Sequence, residues 1–202
     1  MSLASSPADP PSRSVKTRLP AALGRARREL ELLDLAVYDA VADTPSPTLD
    51  PVLSRVSNAA NYSRLWLCAA GLLSLSGADR RRAGLLGLAA LGATSAVVNV
   101  AVKPALTRAR PLRAESSRTE GVRMPTSGSF PSGHAASAFA FASAVGGERP
   151  TLATPLRLAA TTVAYSRVHT GVHYPGDVVI GALIGAGMGT ATRLIAHRLV
   201  QR

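Results

Sequence analysis

The chain has 202 residues, enough for one domain with a sizeable core, and 47% of them are hydrophobic but only 4% aromatic. Alanine, leucine, valine and glycine therefore supply the apolar mass, which favours closely packed helices over a β-sandwich rich in β-branched and aromatic residues. The formal net charge of +11 is typical of proteins that bind nucleic acid or an anionic membrane surface. The arginines flank apolar stretches and are not interleaved with stacking aromatics, so we expect membrane lipids and no nucleic acid as partners. A basic surface that serves only solubility is the alternative.

The N-terminal part of the chain divides into two regions by composition. Residues 1–20 carry serine and proline without an apolar period and are predicted to be a disordered tail. Residues 21–42 place leucines and valines on one helical face and charged residues elsewhere, which predicts an amphipathic helix lying on a surface. The segment TPSPT at 44–48 ends this helix, and a shorter one is expected to follow to about Ala60. Residues 21–60 are thus predicted to be an amphipathic helical segment ahead of a domain at 61–202.

Five apolar stretches follow along the remainder of the chain. They cover residues 65–78, 83–102, 135–147, 158–166 and 178–192. The stretch at 83–102 is uncharged and long enough to cross a hydrocarbon core of about 30 Å, whereas the shorter ones must tilt, recruit flanking residues or be buried. We therefore expect an all-α fold, a helical bundle that is integral to the membrane and has about five or six helices.

Two local patterns bear on how these helices are arranged. Gly181, Gly185 and Gly189 form a small-residue stripe that lets another helix approach closely, in a membrane or in a soluble core. Arg80–82 are predicted to form a short loop on the cytoplasmic side, because positive loops stay there. The Lys103 end of the next helix would then face outward.

The first group of chemically informative residues lies at the end of the longest apolar stretch. Lys103 ends that stretch, Pro104 stops the helix, and Arg110 follows seven residues after the lysine. A lysine provides a mobile positive charge, and an arginine can hold two phosphate oxygens in fixed geometry. Ordinary interfacial cations, like the neighbouring Arg108 and Arg113, are the alternative interpretation.

The second group, Pro131-Ser132-Gly133-His134, lies where a glycine- and serine-rich loop meets an alanine-rich helix. Ser132 is a natural N-cap, and the unpaired amides at a helix start can bind an anion. Gly133 lets the backbone come close to a ligand, and His134 projects from the first turn. A capped helix with an incidental histidine is the alternative.

The third group is the most specific and combines Arg167, His173 and Asp177. Pro175 suits the first position of the next helix, which puts Asp177 in its first turn. A carboxylate four residues after an imidazole can accept its Nδ1 proton and leave Nε2 free to attack. A structural His–Asp pair is the alternative, and His169 is interpreted as a structural residue. The histidines lack the compact spacing of a metal site, so no metal or other cofactor is expected.

In order, the three groups resemble the signature of the type 2 phosphatidic acid phosphatase superfamily, which includes lipid phosphatases and vanadium haloperoxidases. Its pattern is a Lys, six residues and Arg-Pro; Pro-Ser-Gly-His; and Ser-Arg, five residues, His, three residues and Asp. Every specified position is matched over residues 103–177. The resemblance implies that phosphate is bound by Lys103, Arg110, Ser132, Gly133 and Arg167. It further implies that His173 is the nucleophile, that Asp177 orients it, and that His134 protonates the leaving alcohol.

The function expected from this resemblance is metal-independent hydrolysis of a lipid phosphate or diphosphate through a phosphohistidine intermediate. Phosphatidic acid, phosphatidylglycerol phosphate and polyprenyl phosphates all fit as substrates. The enzyme is expected to be a multi-pass protein of the cell membrane, with its active site at the membrane interface and facing outward; a homo-oligomer is compatible with the sequence. The alternatives are a soluble acid phosphatase or vanadate-dependent haloperoxidase of the same superfamily, and a basic peripheral membrane-binding protein without activity.

Overall fold

The structure is a computed structural model that describes residues 18–44, 46–112 and 118–202, with side chains from Ala22 onward. The described part of the chain contains seven helices and no strand, which confirms the all-α prediction with a count close to the expected five or six. The helices are α1 (Arg18–Asp43), α2 (Asp50–Ala59), α3 (Arg64–Leu75), α4 (Ala78–Ala105), α5 (Gly133–Glu148), α6 (Pro150–His169) and α7 (Pro175–Val200). Residues 1–17 of the predicted tail lie outside the described residues, and residues 18–20 belong to α1.

The turn between α3 and α4 differs from the prediction made for the arginine cluster. Arg80–82 do not form a loop: they lie in the first turns of α4, which begins at Ala78. The reason lies in Gly77, whose φ of 114° turns the chain before the charged residues are reached. Asp79 then provides the negative charge that a helix N-terminus favours. The arginines remain exposed at this end of the bundle.

Helix α4 carries the longest apolar stretch and ends at the site. Its 28 residues correspond to about 42 Å of helix at 1.5 Å per residue. The pitch becomes π-helical over Val97–Val102, and the helix ends at Ala105, directly after Pro104. Single π-helical turns inside α-helices are frequent at functional sites. This one directly precedes Lys103.

Helix α5 is the centre of the bundle and contacts α4, α6 and α7. All of its alanines are fully buried. The predicted glycine stripe of α7 packs directly against it, because a Cβ at Gly181, Gly185 or Gly189 would collide with a backbone carbonyl oxygen of α5 or its cap. This contact holds the first turns of α5 and α7 side by side, and the Ser132 amide donates to the Asp177 carbonyl oxygen at 2.9 Å.

Two helices of the described part, α4 and α7, are long and apolar enough to cross a membrane. Only 22% of the apolar window of each is buried within the protein. Leucine, isoleucine and valine side chains on both helices therefore face outward, among them Leu85, Val100, Leu183 and Ile195. A surface of this kind is suited to contact with lipid chains.

Candidate active site

The three groups of residues singled out in the sequence meet at one end of the bundle. A cavity of about 250 Å³ opens between the end of α4, the start of α5 and the loop that joins α6 to α7. Lys103, Arg110, Gly133, His134 and His173 all line it. Residues that are 70 positions apart in the chain thus share one small chamber.

Arg110 is fixed in this chamber by the loop around it. Its Nε donates to the carbonyl oxygen of Ser127 at 2.9 Å, and its Nη2 donates to that of Gly128 at 3.1 Å. Its Nη1 donates to the carbonyl oxygen of Val172 at 2.8 Å and lies 3.2 Å from His173 Nε2. Three carbonyl oxygens fix the orientation of this guanidinium, so its positive charge is held beside the imidazole.

Lys103 brings a second positive charge to the same wall of the cavity. Its Nζ donates to Ser127 Oγ at 3.2 Å, and the same hydroxyl lies 3.5 Å from Arg110 Nη2. Both cations thus lie close to the Ser127 hydroxyl, and their combined positive charge favours an anion in the chamber.

A serine that the sequence did not single out determines which nitrogen of His173 carries the proton. Ser129 Oγ donates its one proton to Asp177 Oδ2, and it lies 3.4 Å from His173 Nδ1. A hydroxyl that donates to the carboxylate must accept from the imidazole, so Nδ1 is the protonated nitrogen. His173 Nδ1 and Asp177 Oδ2 are 3.6 Å apart, which makes the serine the shorter link between them. Nε2 is left with its lone pair toward the cavity and Arg110.

His173 is also kept uncharged. Its side chain is 1% exposed, and burial lowers the pKa of His173 from 6.5 to about 4. The charges of Arg110 and Arg167 lower this pKa further, whereas Asp177 opposes the shift. Near neutral pH the imidazole is therefore the free base that a nucleophile must be.

The second predicted group begins α5 as expected. Ser132 is the N-cap, and its Oγ accepts from the Ala135 amide at 3.4 Å. Ser132 is fully buried and lies behind the cavity wall, whereas Gly133 and His134 line the cavity. The Nε2 of His134 lies 3.1 Å from Asn61 Oδ1. Because the Asn61 amide nitrogen donates to Asn58, its oxygen is the free acceptor and His134 Nε2 carries a proton.

Arg167 stands behind the chamber instead of lining it. The side chain is fully buried, and its Nη1 donates to the Ser57 carbonyl oxygen at 3.1 Å and to the Ser57 hydroxyl at 2.6 Å. Its charge still reaches the site through its effect on His173. His169, interpreted as structural, has its Nε2 2.8 Å from Asp50 Oδ1. Helix α2 thus holds the end of α6 through Ser57 and Asp50.

Several residues that shape the site were not singled out from the sequence. Ser127 and Ser129 belong to the glycine- and serine-rich loop, whose composition indicated a loop but not which hydroxyl faces the histidine. Arg108, considered an ordinary interfacial cation, lies 2.9 Å from Asp177 Oδ1. Asn61 had no signal at all, and Arg113 lies outside the described residues.

The chemistry of the chamber favours an anion with several oxygens. Two cations line it, a third stands behind it, and the N-terminus of α5 borders it, an end of a helix that favours negative charge. Among the residues that the structure describes, no three histidine, cysteine or acidic side chains are placed to hold a metal ion. A phosphate group beside His173 Nε2 would have Lys103 and Arg110 around its oxygens and the proton of His134 within the same chamber.

Comparison with known proteins agrees with this chemistry. A sequence model of the PAP2 superfamily matches residues 83–201. A decaprenylphosphoryl-5-phosphoribose phosphatase of Mycobacterium tuberculosis is 32% identical over 165 residues, which are 82% of this chain and 89% of that protein. A lipid A 4'-phosphatase of Bacteroides thetaiotaomicron is 41% identical over 75 residues. That match covers 36% of this chain and 33% of the relative, about a third of its length.

Two crystal structures share the fold. LpxE of Aquifex aeolicus has a TM-score of 0.63 at 27% identity and covers 79% of this chain and 94% of its own. A transmembrane PAP2-type phosphatidylglycerolphosphate phosphatase from Bacillus subtilis has a TM-score of 0.66 at 22% identity, covering 84% of this chain and 87% of its own. At that identity the second similarity shows the fold alone.

Proposed function

Because this chain belongs to the PAP2 superfamily, as its resemblance suggested, we propose that it hydrolyses the phosphate of a membrane lipid through His173. Membership supports a phosphoric ester hydrolase over the alternative of a basic peripheral membrane-binding protein without activity. The observation that carries the proposal is the serine link, which leaves the lone pair of His173 Nε2 directed at a chamber lined by Lys103 and Arg110.

The proposed reaction gives each histidine one role. His173 Nε2 attacks phosphorus, and the bond from phosphorus to the leaving oxygen breaks as His134, in its doubly protonated form, donates a proton to that oxygen. The phosphoryl group is then bound to His173 as a phosphohistidine. In the second step His134 accepts a proton from water, the water oxygen attacks phosphorus, and the bond to His173 breaks to release inorganic phosphate. Asp177 and Ser129 keep the Nδ1 proton in place throughout.

The fixed cations supply the stabilisation of the transition state. During in-line phosphoryl transfer, negative charge is spread over the three equatorial oxygens. Lys103 and Arg110 face those oxygens from the cavity wall, and Arg167 adds charge from behind. Gly133 lines the chamber at the start of α5, where its amide is available to the same group, and Ser132 supports this turn from behind the wall as its N-cap. Removal of any of these cations should reduce transition-state binding more than substrate binding.

The size of the chamber indicates which part of the substrate enters it. About 250 Å³ accommodates a phosphate and the adjoining part of a headgroup, but not a lipid chain. The lipid chain must remain outside the chamber, where the apolar faces of α4 and α7 can contact it. A lipid phosphate or diphosphate therefore fits better than a large soluble substrate. A polyprenyl-linked phosphate ranks first, because the mycobacterial relative that aligns over most of both chains is named for one. Phosphatidic acid and phosphatidylglycerol phosphate rank behind it.

The distribution of charge supports an orientation in the membrane. We propose a multi-pass protein whose α4 and α7 cross the bilayer. Arg80–82 lie in the first turns of α4, and Lys103 lies near its other end, so the arginine cluster and the active site are at opposite ends. The exposed arginines of this cluster favour the cytoplasmic side, whereas Lys103 and Arg110 line the chamber at the other end. We therefore propose that the active site lies on the outer face, close to the headgroups.

The test is phosphate release by purified, detergent-solubilised protein from a panel of lipid phosphates with EDTA present. We expect release that withstands the chelator and is abolished in His173→Ala, whose folding is checked by its thermal transition. Loss of activity with EDTA, or substantial activity in His173→Ala, would contradict the mechanism. The same assay on intact spheroplasts with a short-chain, water-soluble lipid phosphate tests the orientation, because only an outward site can reach it.

A further inference from the structure

The N-terminal helix α1 makes its polar contact with the active-site turn through the carboxylate of Asp34. The amide of Gly176, in the first turn of α7, donates to Asp34 Oδ1 at 2.6 Å. Asp34 Oδ2 lies 2.7 Å from Arg108 Nη1, and the same nitrogen lies 2.9 Å from Asp177 Oδ1. Arg108 therefore bridges a carboxylate of α1 and the carboxylate that orients the nucleophile. The Asp34 side chain is only 10% exposed, so water screens this pair weakly.

Further contacts seat α1 at this position. Tyr38, one turn after Asp34, packs edge-on against Tyr174 with 5.4 Å between ring centroids. The Arg108 guanidinium lies 4.1 Å from the centre of the Tyr174 ring, which fixes its plane. A Cβ on Gly176 would lie 3.1 Å from Asp34 Oδ2, so the glycine leaves room for the carboxylate. The approach of Asp34 is thus specific in position and not a chance surface pair.

Arg108 is important for the orientation of Asp177, because all other contacts of this carboxylate are made by its Oδ2 atom. Oδ2 accepts from Ser129 and from the Tyr174 amide at 3.0 Å and faces His173, whereas Oδ1 is held by Arg108. Without Asp34, Arg108 would keep only Asp177 of its two carboxylate partners. The guanidinium could then turn toward Asp177 or away from it. Either movement rotates the carboxylate about its Cβ–Cγ bond and displaces Oδ2 from Ser129. The Nδ1 proton of His173 would then lose its defined partner.

We propose that Asp34 and Arg108 are positioning residues for the reaction, which hold Asp177 so that Ser129 keeps the proton of His173 on Nδ1. This inference rests on the proposed function and extends it: α1 is a part of the active site. Asp34 and Arg108 lie outside the wall of the 250 Å³ chamber, so we expect their loss to change the rate of the chemical step more than the binding of phosphate.

The test compares two carboxylates of the same helix. Asp34→Asn keeps an acceptor for Gly176 and removes the charge opposite Arg108. Glu31→Gln is the matched control, because Glu31 also pairs with an arginine, Arg27 at 2.9 Å, but on the exposed surface. For Asp34→Asn we expect kcat to fall about 10-fold with KM unchanged, as for loss of a hydrogen bond to a charged group. Glu31→Gln should match the wild type in both constants.

A second measurement does not depend on turnover. The ¹⁵N shifts of His173, assigned by their absence in His173→Ala, report which ring nitrogen carries the proton. We expect the Nδ1–H form in the wild type and in Glu31→Gln, and a mixture of both tautomers in Asp34→Asn. Gly176→Ala, which presses on the Asp34 carboxylate, should shift the tautomers in the same direction and serves if Asp34→Asn folds poorly.

The outcomes separate this inference from the proposed function. Active wild type with an unchanged kcat and an unchanged tautomer in both variants would overturn the role of Asp34 and leave the phosphatase standing. An increase of KM alone would do the same, because it would place Asp34 in substrate binding. A wild type that releases no phosphate from any lipid, but whose His173 tautomer depends on Asp34, would overturn the function and support the positioning role.

Discussion

At the scale of single residues, the chemistry depends on the position of one proton on His173. Three groups fix it: Ser129 accepts it, Asp177 accepts from Ser129, and Arg110 faces the opposite nitrogen. An arginine cannot accept a hydrogen bond, so its proximity to Nε2 requires that this nitrogen carry a lone pair. The geometry on both sides of the ring therefore indicates the same tautomer.

The ionisation of His173 gives a prediction about pH. Protonation is disfavoured in the folded state, because burial and the neighbouring arginines lower the pKa of His173 to about 4. We expect this histidine to stay neutral as the pH falls from 7 to 5 and to gain its proton only near pH 4. A ¹⁵N-histidine titration of the detergent-solubilised protein, with His173 assigned from His173→Ala, measures this. Titration near 6.5, the ordinary value, would show that the site does not suppress the charge.

The residues expected from the sequence and those found only in the structure differ in one physical respect. Lys103, Arg110, His134, His173 and Asp177 stand at recognisable spacings to one another and to neighbouring prolines, serines and glycines. Ser129, Asn61 and Asp34 belong to no such pattern, and they acquire a role only because the fold brings distant segments together. No spacing along the chain could indicate that Asn61 meets His134, 73 positions away.

At the scale of helices, the close contact between α5 and α7 determines the position of the site. The glycine stripe was predicted to let another helix approach, and α5 is that helix. Helix bounds followed the apolar stretches closely where proline or the TPSPT segment marked an end. They did not at Arg80–82, because local charge suggested a loop whereas Gly77 had already turned the chain. Helix α6 is also longer than its apolar stretch at 158–166: it begins at Pro150, a residue suited to the first turn, and continues to His169.

Two glycines of α7 provide a matched test of this contact. A Cβ at Gly185 would collide with the Ala136 carbonyl oxygen, whereas a Cβ at Gly187 meets no atom within 4 Å. We expect Gly185→Ala to lower the free energy of unfolding by about 1–3 kcal/mol through overpacking. Gly187→Ala should leave it unchanged or raise it by up to ~1 kcal/mol, because alanine favours a helix. Thermal unfolding followed by the fluorescence of buried Trp66 measures both, and equal stability of the two variants would contradict the packing.

At the scale of the whole molecule, the N-terminal segment contacts residues of the active site. Residues 61–202 were expected to be the phosphatase domain, with an amphipathic helical segment at 21–60, and we retain that division as a proposal. The segment nevertheless contributes contacts to the site from both of its helices: Asp34 from α1, and Ser57 and Asp50 from α2. The amphipathic pattern of residues 21–42 indicated a helix on a surface but not which surface. The position of α1 depends on single polar contacts, such as those of Asp34, which the pattern does not reveal.

The measurement that tests the central claim most directly is the trapping of the covalent intermediate. A lipid phosphate labelled with ³²P is mixed with enzyme in detergent and EDTA, and the reaction is stopped within milliseconds in alkali, which preserves phosphohistidine. We expect a label that is stable in base, labile in acid and located on His173 by peptide mapping, and that is absent from His173→Ala. Continued turnover without any labelled protein, or a label on a residue other than His173, would contradict the mechanism.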